Sequence, residues 1–202
     1  MDLLEIAAVA FGVVSVWLST RQHIVSWPTA LVNTALYFVV FQRAQIYANM
    51  GLQVVYFALS CYGWYSWRYG GVNHSVLVVT RTSRALGIRL LGIAVVVAAV
   101  LGYVLTRWTD ASIAWLDSGT TATSLIAQWM MTRKLLENWL IWVAVDVVYI
   151  GMYFSQGLRL TAGLYAAFLV LATLGYFSWR QSLRDRLAAE AAAAAAVAVA
   201  PA

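Results

Sequence analysis

Trp139, Trp142, Asp146, Tyr149 and Tyr153 are spaced by 3, 4, 3 and 4 residues, the interval at which side chains share one face of an α-helix. That face joins one carboxylate to several aromatic rings, and the chemistry it suits is recognition. Aromatic faces stack on a flat heterocycle and attract cations, and an acid complements a positive ring. Other stripes add amides and hydroxyls: Asn49, Gln53 and Tyr56; Asp117, Thr121, Ser124 and Gln128; Ser26, Asn33 and Tyr37. Asn and Gln offer paired donors and acceptors for an amide or a set of hydroxyls. The candidate binding set is therefore Trp142, Asp146, Gln53, Asn33, Asn49, Tyr149, Trp139, Gln128, Tyr37 and Tyr165. The ligand it suits is small, aromatic, hydroxylated or amide-bearing, and cationic. Thr121 and Ser124 read better as partners in hydrogen bonds between helices. Trp64, Trp67 and Trp179, near helix ends, read as interfacial anchors, and Trp27 and Trp139 as either anchors or pocket lining.

Nothing in the chain resembles a catalytic or metal-binding constellation. His23 and His74 fall in connections away from Asp146, and one cysteine, Cys61, supports neither a disulfide framework nor a metal cluster. No catalytic residue, metal ligand or cofactor is assigned.

The elements that must carry these faces belong to a membrane. Of 202 residues 63% are hydrophobic and 10% charged, outside the range of soluble domains. Apolar stretches predict seven helices, at 3–20, 24–41, 46–67, 86–106, 117–132, 135–154 and 158–179, of a length that crosses a bilayer. In hydrocarbon an acid costs about 2.5–3.5 kcal/mol on insertion scales, so Asp146 should face the bundle interior. The segment 68–85 reads as a polar linker, and the alanine-rich tail from about 188 as frayed and unable to pack a core. Arg43, Arg107 and Arg159 fall on the side of the N-terminus and the other ten basic residues on the opposite side. This asymmetry places the N-terminus outside and the C-terminus in the cytoplasm, so the formal charge of +5 orients the chain and requires no nucleic acid.

The sequence also repeats itself. STRQHIVSW (19–27) aligns with MTRKLLENW (131–139) at an offset of 112 residues (139 − 27). With no gap, the same offset pairs Tyr37 with Tyr149, Gly63 with Gly175, and YGWYSWR with LGYFSWR. Spans 1–3 and 5–7 are thus two copies of one three-helix unit, and span 4 sets them parallel, an architecture of transporters with a site between the halves. The expected organisation is a first repeat at 1–67, a linker and fourth helix at 68–107, a second repeat at 108–180 and a tail at 181–202. The halves differ at Trp142 and Asp146, which pair with Ala30 and Thr34.

Residues 27–68, beginning WPTALVNTALYF, together with residues 137–180, beginning ENWLIWVAVDVVY, closely resemble the Pnu vitamin transporters, best known for nicotinamide riboside. The resemblance implies a seven-helix, three-plus-one-plus-three fold similar to the SWEET sugar transporters, assembled as a homotrimer in the bacterial inner membrane. It also implies facilitated diffusion of a vitamin precursor, trapped afterwards by a cytoplasmic kinase. Carried over, the substrate contacts fall on Asn33, Gln53, Trp142 and Asp146, the last standing where an Asn is expected in nicotinamide riboside members. Thiamine, or another vitamin such as riboflavin, is the alternative substrate, and a membrane enzyme or a non-transporting binding protein a remote one. Asp146 is the one central acid, with Glu5 and Asp117 at outer helix ends, so no chain of acids suggests proton coupling.

Overall fold

The computed structural model describes residues 3–108, 114–155 and 157–199. The connection 109–113, near the expected start of the second repeat, and residues 200–202 of the tail lie outside the described residues. The described chain is helical: α1 (Leu3–Thr20), α2 (Ser26–Arg43), α3 (Tyr47–Tyr69), α4 (Arg84–Trp108), α5 (Ala114–Thr132), α6 (Asn138–Ser155) and α7 (Arg159–Val199). Consecutive helices pack against one another within α1–α3 and within α4–α7, and the two groups meet through α1 with α7 and α3 with α5.

Four of these helices, α1, α4, α6 and α7, are long and apolar enough to cross a membrane. The mean hydropathy of α2, α3 and α5 is lowered by Asn33, Thr34, Asn49, Gln53, Asp117, Thr121 and Gln128, all on the inner cavity described below. Polar side chains turned toward a shared interior are tolerated in a bilayer because lipid never meets them.

Helix ends recur at the repeat offset: α2 and α6 begin at Ser26 and Asn138 and finish at Arg43 and Ser155, and α3 and α7 begin at Tyr47 and Arg159. The turns recur as well. Gln22 and Lys134 both adopt left-handed backbone (φ 56° and 49°), as do Gln45 and Gly157 (φ 58° and 76°). In this region glycine is unstrained and other residues are uncommon.

The basic end of the bundle is closed by four tryptophans. Trp27 meets Trp67 edge to face at 5.2 Å between ring centroids, Trp139 meets Trp179 in the same way at 5.4 Å, and Trp67 meets Trp179 at 5.8 Å. These are favoured aromatic geometries. All four rings are at least 98% buried, which corrects the reading of Trp67 and Trp179 as interfacial anchors. Their indole N–H groups are committed inside the protein: Trp67 Nε1 donates to the Met131 carbonyl (2.9 Å) and Trp179 Nε1 to the Ser19 carbonyl (3.0 Å). Donors and acceptors alike are related by the repeat offset, so each indole holds the end of a helix in the other sequence repeat. Trp64, by contrast, is exposed and free to meet the interface.

Two glycines make room for the cluster. A Cβ on Gly175 would stand 2.6 Å from the Trp139 ring, and one on Gly63 would overlap the Trp27 ring, whereas Gly51, Gly151 and Gly163 have no such neighbour. Close packing is therefore the role of Gly63 and Gly175 alone among these five. Gly63→Ala is expected to destabilise the protein by about 1–3 kcal/mol through overpacking. Thermal unfolding of the detergent-purified protein checks this, with Gly51→Ala as the control that should leave the melting temperature in place.

The segment read as a polar linker is an ordered strap across the tryptophan floor. Leu77 N–H bonds to the Trp67 carbonyl, Thr80 exchanges backbone bonds with the Lys134–Leu136 turn, and Thr82 donates its N–H and hydroxyl to Glu137 Oε2 (2.8 Å each). Val79 is buried against the floor, and Arg186 donates to its carbonyl. Beneath the strap, the Lys134 ammonium lies 4.5 Å from the centre of the Trp67 ring and 3.4 Å from Gln22 Oε1. Burial pushes this ammonium down to about 8, since low-dielectric surroundings disfavour the charged form.

The tail also departs from expectation. Helix α7 continues through Val199 in place of a frayed segment. Alanine has the highest intrinsic helix propensity, and Arg186 and Glu190 form an i,i+4 ion pair at 2.7 Å. Leu183 still packs against the tryptophan floor, whereas residues 187–197 are exposed and add nothing to the core.

Candidate functional site

Between the helices lies a cavity of about 450 Å³, lined from α1, α2, α3, α5, α6 and α7, and of a size typical for small-molecule sites, roughly 300–1,000 Å³. It reaches from the tryptophan floor toward the opposite end of the bundle. All ten candidate residues line it: Trp142, Asp146, Gln53, Asn33, Asn49, Tyr149, Trp139, Gln128, Tyr37 and Tyr165. Helical spacing on five separate elements, α2, α3, α5, α6 and α7, thus converges on one space.

Their surroundings are not equivalent. Asp146 is 4% exposed, in the middle of α6, with Trp142 one turn away toward the floor. Asn33 donates its side-chain N–H to the Ala8 carbonyl (2.7 Å), so one of its polar groups already ties α2 to α1. Trp139 is 1% exposed and belongs chiefly to the floor.

At the end opposite the tryptophan floor, α6 and α7 build an aromatic wall. Tyr149 and Tyr165 lie 4.7 Å apart between ring centroids, Tyr153 and Tyr165 stack at 5.3 Å with planes 16° apart, and Phe168 meets Tyr165 edge to face at 6.0 Å. Across the cavity Tyr37 stacks on Phe41 at 5.6 Å.

Several lining residues were absent from the candidate set. Thr34 is the repeat mate of Asp146, and Tyr56, Thr121, Ser124 and Tyr153 lie on the stripes that the spacing had marked. Thr121 and Ser124, read as interhelical partners, line the cavity too. Asp117, placed at an outer helix end by the sequence reading, is on the cavity wall. Its position on the Asp117–Thr121–Ser124–Gln128 stripe was the available signal. Ser15, Ser19 and Ser60 gave none, because a lone serine in an apolar helix is ordinary.

The charge of this lining is one-sided. It includes two carboxylates, Asp117 and Asp146, and among the described lining residues no Lys, Arg or His. Among the described residues no group of three or more His, Cys, Asp or Glu side chains is arranged to hold a metal. Rings for stacking, amides for hydrogen bonds and acids for a cation are what the cavity offers a ligand.

Comparison with known proteins gives a consistent answer. The sequence model of the nicotinamide mononucleotide transporter family matches residues 2–181. The nicotinamide riboside transporter PnuC of Escherichia coli is 27% identical, over 92% of this chain and 88% of that protein. The riboflavin/roseoflavin transporter RibM of Streptomyces davaonensis is 26% identical, over 86% of this chain and 83% of that protein. Among solved structures, that of the vitamin B3 transporter PnuC superposes with a TM-score of 0.71 at 22% identity, covering 90% of this chain and 82% of the other.

Proposed function

The chain belongs to the nicotinamide mononucleotide transporter family, and on that premise we propose that this membrane transporter carries nicotinamide riboside into the cell by facilitated diffusion. The observation that carries the choice of substrate is the charge of the cavity. Two carboxylates and, among the described lining residues, no cationic side chain suit a pyridinium nucleoside and repel a phosphorylated nucleotide, because like charges in a low-dielectric site oppose binding. In this reading Trp142 stacks on the pyridinium ring, Gln53 and Asn33 bond the carboxamide or ribose, and Asp146 faces the positive ring or accepts ribose hydroxyls. Asn49, Gln128, Tyr37, Tyr149, Tyr165 and Trp139 complete the enclosure.

The two sequence repeats act as two three-helix units, at 1–67 and 108–180, joined through the strap and α4. The recurrence of helix ends, turn conformations and cross-repeat indole bonds at one offset supports that arrangement. The N-terminus lies outside and the arginine-rich end inside the cell membrane, supported by the distribution of basic residues. Homotrimer assembly and trapping by a cytoplasmic kinase complete the proposal.

Calorimetric titration of the purified protein with nicotinamide riboside, nicotinamide mononucleotide, thiamine and riboflavin tests the substrate. Nicotinamide riboside should bind, and the mononucleotide should not compete. Thiamine is the second candidate, favoured by the same cation-suited cavity. Thiamine blocking proteoliposome uptake at low concentration, without comparable binding of nicotinamide riboside, overturns the first choice.

A further inference from the structure

Asp117 and Asp146 stand at different depths in the cavity. Asp117 lies 15 residues before the end of α5 at Thr132, and Asp146 eight residues after the start of α6 at Asn138; both of those helix ends are at the basic end of the bundle. At about 1.5 Å per residue the two acids are separated by roughly 10 Å along the bundle. The tyrosine wall occupies the interval. Asp117, Asp146 and the three rings of Tyr149, Tyr153 and Tyr165 all line the same cavity. The rings are contiguous, with centroids 4.7 to 5.8 Å apart. At the end opposite the tryptophan floor the lining residue Asn49 is exposed, so the cavity has its mouth there, and one acid, a continuous run of π faces and a second acid succeed one another from that mouth to the middle.

We propose that Asp117 and the Tyr149–Tyr153–Tyr165 wall form a separate entry station for organic cations, which receives the substrate before it reaches Trp142 and Asp146. A flat cation arriving at the mouth meets a carboxylate and ring faces that attract positive charge. It can slide along the wall without leaving either kind of contact, because each tyrosine adjoins the next and the last adjoins the domain of the second acid. The station recognises charge and flatness. It has no role for the ribose hydroxyls, which are selected deeper, among Gln53, Asn33 and Asp146. Charge selection at the mouth is thus separated from selection of the full molecule.

The inference rests on the proposed transport of a pyridinium nucleoside, and its test separates the two. Proteoliposome uptake of nicotinamide riboside is compared with uptake of its neutral dihydro form, which keeps the shape and loses the ring charge. In Asp117→Asn the KM for the charged form is expected to rise about fivefold and to lose most of its dependence on ionic strength, as when a steering charge is removed. The KM for the neutral form should move less than twofold, and Asp117→Glu should restore the charged substrate. A purely structural role for Asp117 would instead raise both KM values together, and that result overturns the entry station. An unchanged KM for nicotinamide riboside overturns it equally. Failure of the unmodified protein to transport nicotinamide riboside at all defeats the substrate assignment, and the same comparison run with thiamine against a neutral analogue then decides the station.

Discussion

Asp146→Ala is expected to weaken nicotinamide riboside binding by about 10–100-fold, because a hydrogen bond or contact to a charged group contributes about 1.5–3 kcal/mol. The carboxylate is 4% exposed in the middle of α6, and no hydrophobic neighbour can replace its interaction with a positive ring or with hydroxyls. Its helix also carries Trp142 and Tyr149 on the same face, so the loss falls directly on the bound molecule. Removing a buried acid from an apolar helix should leave folding intact or strengthen it, since an ionised group is costly in that environment. Affinity and stability should therefore move in opposite directions. Calorimetry beside a thermal melt checks both, and unchanged affinity in a folded variant removes Asp146 from the substrate site.

The second large effect is structural. Trp67→Ala should destabilise the protein by about 3–5 kcal/mol, the usual cost of deleting a large buried aromatic side chain. Three contributions meet at this ring: edge-to-face contacts with Trp27 and Trp179, the bond to the Met131 carbonyl, and the Lys134 ammonium above its face. Trp67→Phe keeps much of the ring contact while leaving the Met131 carbonyl without its donor, so its cost should be intermediate. A Trp67→Ala protein with an unaltered melting temperature would mean that the floor is not part of the stable core.

Much of this was legible in the sequence because membrane helices write their inner faces in period. The Trp142–Asp146–Tyr149 stripe and the Asn49–Gln53 pair could be read from spacing alone, and the ten candidates do converge on one cavity. Tertiary choices were less visible. Trp67 and Trp179 carry the same sequence signal as a lipid-interface anchor, a tryptophan near a helix end, and only the facing helices decide that they are buried. Asp117 stands where its stripe and its place in the first turn of α5 put it, at the outer end of a helix and on the cavity wall, and it was missing only from the candidate binding set. The strap was read as a polar linker, because its order comes from distant partners, Lys134, Glu137 and Arg186, rather than from its own residues. The alanine-rich tail packs no core, as its small side chains imply, yet it is helical where fraying was expected. Its helix needs no core, only propensity and one ion pair.

The reciprocal indole bonds across the tryptophan floor carry a consequence for turnover. A neutral hydrogen bond contributes about 0.5–1.5 kcal/mol net, so releasing both Trp67 from Met131 and Trp179 from Ser19 costs about 1–3 kcal/mol if the rings slide without parting. That corresponds to an open population of roughly one molecule in six to one in 160. In the facilitated diffusion proposed above, random thermal agitation is all that could work such a door. A latch of this strength keeps the floor shut most of the time, yet lets it be lifted repeatedly without any fuel.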